Sequence, residues 1–273
     1  PALKGLNIKL GPNASICFDT ERLRMAVGWT GGFVKLPADR DGLQGVPQIN
    51  GDIAFHTTMS PGWASPKGGW TELNPPVKNG NDVYSSGPLP RDWAKWRGHY
   101  SHGDKVILSY TVGASTVLEC SGVDQGVFTR QFEITRSPSK SQMSLLVCEV
   151  PGAITVVEKG TATLEKDGRI TKVAVLGAGV ELGALDGRIT AQIKSLLPTS
   201  QFVVGIWSGS KEETRQIEIF SKSKTNLPEL SEMIKGGPPK WGKTIITRGR
   251  LGLASGPYVV DTITIPEENP WKS

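Results

Sequence analysis

Apolar residues in this chain recur at alternate positions or in short unbroken runs, and Gly, Pro, Asn and Asp punctuate the gaps between them. Alternation marks a strand with one buried face, and a short continuous apolar run marks a strand buried on both. The pattern is most regular from residue 105 onward. Residues 106–112 and 116–120 flank Gly113-Ala114-Ser115 and predict a hairpin. Phe128, Arg130, Phe132 and Ile134 share one strand face at period two. Residues 143–150 predict a buried strand, and residues 201–207 another. Upstream, residues 15–18 and 23–29 read as short strands. Gly28, Gly31 and Gly32 predict a glycine-permitted turn before residues 33–36, in preference to a loop that offers its backbone N–H groups to a ligand.

One phrase recurs. Asp167-Gly168-Arg169-Ile170-Thr171 returns as Asp186-Gly187-Arg188-Ile189-Thr190. Asp-Gly supplies the positive φ angles of a tight hairpin turn, so the echo predicts two similar hairpins in a meander, and two copies are too few for a solenoid. Helical territory is confined to residues 211–235. There Asn226 is the expected N-cap, Pro228 falls in the first turn and Gly236-Gly237 ends the helix. Residues 243–265 read as strands again. Residues 37–104 are different, being rich in Gly, Pro, Asn and Asp, and predict a long irregular excursion of functional or merely superficial character. Nothing alternates strand with helix. The expected fold is all-β: a large antiparallel β-sandwich, supersandwich-like, with one or two short helices. It forms a single domain over 1–273, with 266–273 as the start of a linker.

Composition agrees with a turn-rich β protein, with 33 glycines and 19 prolines among 273 residues. The net charge of +5 is scattered rather than gathered on one stripe, so no nucleic-acid partner is expected. No run of eighteen apolar residues predicts a membrane span. Cys17, Cys120 and Cys148 each sit in an apolar, strand-like setting and read as buried free thiols, although one bridge among them stays open.

Several separated phrases carry a family resemblance. They are Asp19 with Leu23-Arg24, Gly28-Trp29-Thr30-Gly31-Gly32-Phe33, Pro61-Gly62-Trp63-Ala64, and Gly87-Pro88-Leu89-Pro90-Arg91-Asp92-Trp93. Further matches are His102-Gly103-Asp104, Gly236-Gly237-Pro238-Pro239-Lys240-Trp241 and Asn269-Pro270-Trp271-Lys272-Ser273. Together they resemble the N-terminal domain of large PVC-type haem-binding proteins, which precedes a sorbosone-dehydrogenase-like propeller and often a c-type cytochrome domain. The resemblance implies an exported, periplasmic parent and a propeller or cytochrome domain as partner. The Cys-x-x-Cys-His attachment motif is absent, so no cofactor is expected in this chain.

Residues 91–102 hold the densest candidate chemistry: Arg91, Asp92, Trp93, Trp96, Arg97, His99, Tyr100 and His102. Flat aromatics beside charged hydrogen-bonding groups suit a sugar, whose ring stacks while its hydroxyls are gripped. This makes a polysaccharide the expected ligand, and the expected function is a non-catalytic module that binds glycan or docks its neighbouring propeller domain. The competing reading is that Trp93 and Trp96 anchor a long loop onto the sandwich. A sandwich of this length also resembles the supersandwich of aldose epimerases and related glycoside-processing enzymes. That alternative would pair His99 or His102 with Glu133 or Glu149 as acid and base. A metal site drawn from His56, His99 and His102 is not expected, because His99 and His102 point apart on a straight strand. Trp207-Ser208-Gly209-Ser210-Lys211 predicts a turn rather than a nucleophile elbow.

Overall fold

A computed structural model of the protein describes residues 2, 4–37, 45–70, 77–79, 82–84, 87–136, 143–158, 160–194, 197–223, 226–236 and 245–266. The expected tail motifs at 237–241 and 269–273 lie outside these residues. The chain divides into two compact units, Pro1–Gly236 and Gly237–Ser273.

The first unit is an all-β antiparallel sandwich with two short helices. Its strands are β1 (Gly5–Lys9), β2 (Ala14–Asp19), β3 (Arg24–Lys35), β4 (Gln48–His56), β5 (Val77–Asn79), β6 (Asp82–Tyr84), β7 (Ala94–His102), β8 (Lys105–Val112) and β9 (Ser115–Asp124). They continue as β10 (Val127–Thr135), β11 (Met143–Glu149), β12 (Ile154–Glu158), β13 (Thr161–Lys166), β14 (Arg169–Leu176), β15 (Val180–Leu185), β16 (Arg188–Ile193) and β17 (Thr199–Ser210). Helices α1 (Arg215–Ser221) and α2 (Leu230–Met233) follow.

An eight-stranded sheet in the order β12-β13-β14-β17-β10-β9-β8-β7 forms one layer. A four-stranded sheet, β1-β2-β3-β4, and a three-stranded sheet, β11-β16-β15, contribute the facing side chains. Alternation decides which residues meet in the core. Phe128 and Phe132 of β10 contact Phe55 and Trp63 at ring separations of 5.3 and 6.1 Å, and Phe18 of β2 stacks on Tyr110 of β8 at 5.8 Å. Burying such aromatic side chains is the main force closing the two layers. Arg130, on the same face, is fully buried because Glu119 accepts from its Nε at 2.7 Å and also accepts from the Tyr110 hydroxyl at 2.6 Å. The opposite face of the large sheet is covered by Ile217 of α1 and Leu230 of α2.

Several expectations change. Residues 37–104 contain two long strands, β4 and β7, so the excursion is not irregular throughout. The Gly28–Gly32 turn is instead a pair of bulges in one twelve-residue strand, β3. Gly28 is needed there because a Cβ would stand 2.2 Å from the Phe55 ring, and Gly31 because its φ is +102°. Ser208, Gly209 and Ser210 continue β17 rather than turning. α2 begins at Leu230, later than Asn226 predicts, because its first N–H groups are met from outside the segment by Glu133 of β10. In the second unit, residues 245–266 carry one isolated bridge, Arg250 to Thr262, in place of the expected strands.

Candidate functional site

The most developed cluster of polar side chains is built on the end of β11. A bulge between Leu146 and Cys148 keeps Val147 and Cys148 in the core and sets Glu149 opposite Arg188 of β16. Glu149 is buried, and both of its carboxylate oxygens are engaged. Its Oε2 accepts from the backbone N–H of Thr58 at 2.6 Å and from the Thr58 hydroxyl at 2.7 Å. Its Oε1 accepts from Nε of Arg188 at 2.9 Å, and Nη2 of the same guanidinium lies 2.8 Å away as an ion pair. A carboxylate held this way is a fixed anchor for a guanidinium.

Thr58 is placed by the Asp19/Arg24 phrase. Asp19 Oδ2 accepts from Arg24 Nε at 3.1 Å, and Arg24 Nη1 donates to the carbonyls of Thr57 and Thr58 at 3.0 and 2.8 Å. The Pro61-Gly62-Trp63-Ala64 phrase follows directly and runs beside β11. Gly62 accepts from Leu146 N–H, and a Cβ on Gly62 would stand 1.9 Å from the Leu23 carbonyl oxygen. Ser60, between the two phrases, accepts from Arg188 Nη2 at 3.2 Å. The guanidinium carbon of Arg188 lies 5.6 Å from the centre of the Trp70 ring, within cation–π range.

Two cavities open at this end, and Glu149 lines both. One, of about 660 Å³, is lined by Thr58, Trp70, Asp186, Gly187, Arg188, Thr190 and Gln192 among others. The other, of about 410 Å³, is lined by Phe55, His56, Lys166, Asp167, Arg169 and Thr171 among others. Each holds hydrogen-bonding groups of both senses.

The site predicted from residues 91–102 takes another form. Trp93 is buried and donates its indole N–H to the Trp63 carbonyl at 3.1 Å, so it anchors the chain and cannot stack on a ligand. Trp96 is half-buried and packs on Phe18 at 5.7 Å. The others do not converge. His99 pairs opposite Leu108 and Tyr100 opposite Ile107, and those two pack on opposite faces of the sheet. Arg97 sits in the bulge between Trp96 and Gly98. Arg91, Asp92, Arg97 and His99 are exposed, and His102 is half-buried at the end of β7. Of the acid–base candidates, Glu133 caps α2, and only Glu149 falls in the cluster described above. His56 shares a cavity with it, whereas His99 and His102 lie on the edge strand β7.

Among the described residues no group of three His, Cys, Asp or Glu side chains is placed to hold a metal ion. Cys17, Cys120 and Cys148 are free thiols. Burial, reinforced by Asp19 and opposed by Arg24, pushes Cys17 up to about 11. Burial likewise raises Cys120 and Cys148. None is an activated nucleophile at neutral pH.

Sequence reasoning missed Trp70, Thr58 and Arg188 as site residues. The first two fall in a stretch without periodicity. The third stands inside the Asp-Gly-Arg echo, whose sequence signal is that of a turn.

A family model described as a domain of unknown function, DUF6797, matches residues 16–119. No curated protein matches the sequence. Among solved structures, the Slr1438 protein of Synechocystis sp. PCC 6803 is similar at 7% identity and a TM-score of 0.38, covering 76% of this chain and 96% of that one. A putative aldose 1-epimerase of Escherichia coli K12 is similar at 10% identity and a TM-score of 0.37, covering 76% of this chain and 99% of its own.

Proposed function

We propose that this chain is a non-catalytic β-sandwich module that binds glycan through the cleft around Glu149, Arg188 and Trp70. One observation carries this reading: an indole ring stands beside a guanidinium that a buried carboxylate and Ser60 hold in place, in a cavity of about 660 Å³. A sugar needs an aromatic face and fixed donors together, and orientation set in advance lowers the cost of binding. Following the family resemblance, the module belongs to an exported haem-binding parent and presents glycan to a neighbouring propeller domain.

A mutarotase-like sugar enzyme is the second reading, favoured by His56 and Glu149 lining one cavity of about 410 Å³. Against it, the Glu149 carboxylate is already committed to Thr58 and Arg188.

Calorimetric titration against neutral and acidic polysaccharides tests both. Saturable binding that weakens about tenfold or more in Trp70→Ala and in Arg188→Gln supports the module. NMR exchange between the anomers of the bound sugar, abolished in His56→Ala, would move the assignment to the enzyme. No binding across the panel sinks the glycan reading.

A further inference from the structure

The two copies of Asp-Gly-Arg-Ile-Thr meet at one place. The first closes the β13–β14 hairpin, in the eight-stranded sheet, and the second closes the β15–β16 hairpin, in the three-stranded sheet. Both turns use the same backbone, with φ of 52° and 74° at Asp167 and Gly168 and of 50° and 72° at Asp186 and Gly187. Both are pinned to the chain just after Glu149. Val150 N–H donates to the Gly187 carbonyl at 2.7 Å, and a Cβ on Gly187 would stand 2.2 Å from the Val150 oxygen. Lys166 Nζ donates to the Pro151 carbonyl at 2.7 Å. Each turn therefore brings one Asp and one Arg to a cavity, and the two cavities adjoin at Glu149.

The charges of the two linings nearly balance, with Lys166, Arg169 and Arg188 against Glu149, Asp167 and Asp186. Among the described residues the carboxylates of Asp167 and Asp186 make no hydrogen bond, whereas Arg169 donates Nη2 to the Ile53 carbonyl and Arg188 is held by Glu149 and Ser60, so each cavity offers an open acceptor and a fixed guanidinium. An open acceptor and a guanidinium in one cavity suit the hydroxyls of a sugar, and a lining whose charges balance gives a charged sugar no net attraction. Each cavity falls within the ~300–1,000 Å³ typical of a small-ligand site.

We infer that the two Asp-Gly-Arg turns are paired subsites, and that the cleft takes a neutral oligosaccharide lying across both rather than a single sugar. This rests on the glycan reading above. The test is calorimetry with glucan, xylan and mannan fragments from monosaccharide to hexasaccharide, with pectate fragments as the acidic control. The expected result is neutral-fragment affinity that rises about tenfold or more with length, because a second subsite adds contacts without a second loss of translational freedom. Asp167→Asn, which keeps the turn because Asn tolerates positive φ, and Arg169→Gln remove that gain, so that the longest fragments bind no better than the shortest. Affinity independent of length, or indifferent to both substitutions, overturns the paired subsites and leaves the glycan reading standing. Preference for pectate overturns the neutral assignment. Absence of binding by every fragment and by the parent polysaccharides overturns the glycan reading and this inference with it.

Discussion

The edge strand β7 and the cleft at Glu149 both carry aromatic and charged residues in quantity, but only the cleft assembles them. On β7 the residues are neighbours in sequence, so strand alternation sends them to opposite faces and an edge bulge separates them further. At the cleft they come from the segment after β4, the end of β11 and two distant turns, and hydrogen bonds fix Thr58 and Arg188 to one carboxylate. Density along a chain is thus a poor guide to a β-sheet site. What gathers side chains is the end of a sandwich, where strands stop and turns from different sheets adjoin.

The largest effect that sharpens this contrast belongs to Trp93. Its side chain is 4% exposed and its N–H is bonded to Trp63. Trp93→Ala should cost about 3–5 kcal/mol in urea unfolding, as aromatic truncations in cores do. The folded fraction should bind glycan as the parent does. An unchanged midpoint with lost binding would reverse the roles given to the two regions.

Glu149 should show the opposite pairing of effects. Replacing it by Ala leaves Thr58 N–H and the Arg188 guanidinium without their acceptor. Arg188 is 31% exposed and regains water, so the loss should be about 2–3 kcal/mol, below that of a fully buried pair. Glycan affinity should fall sharply at the same time, because Arg188 is no longer aimed. Glu149→Gln keeps the shape and half of the acceptors and should fall between the two. Intact affinity in Glu149→Ala would mean that Arg188 needs no anchor.

The large sheet was readable because its residues obey period two: Phe128, Arg130, Phe132 and Ile134 are all buried on one face, as their spacing demands. The two Asp-Gly hairpins were readable for the same local reason. What was not readable is set by contacts across the fold. Gly28 behaves as a bulge because Phe55 lies against it, and α2 starts at Leu230 because Glu133 reaches it from β10. The site belongs to this second class. Trp70 stands in an aperiodic stretch, and Glu149, an acid–base candidate in the sequence, is paired there with the distant His99 or His102. Only the sheets' arrangement makes them neighbours of Arg188.

The smallest expected effect is the most direct check on the contrast. Tyr100 is 42% exposed, and His99, also exposed, makes no hydrogen bond among the described residues. Exposed substitutions away from caps, cavities and networks change stability by about 0.5 kcal/mol or less. His99→Ala and Tyr100→Ala should therefore leave both the urea midpoint and the glycan affinity where they were. A joint loss of affinity in the two variants, with stability intact, would show ligand crossing the β7 edge. It would then be sequence density, and not the end of the sandwich, that marks the site.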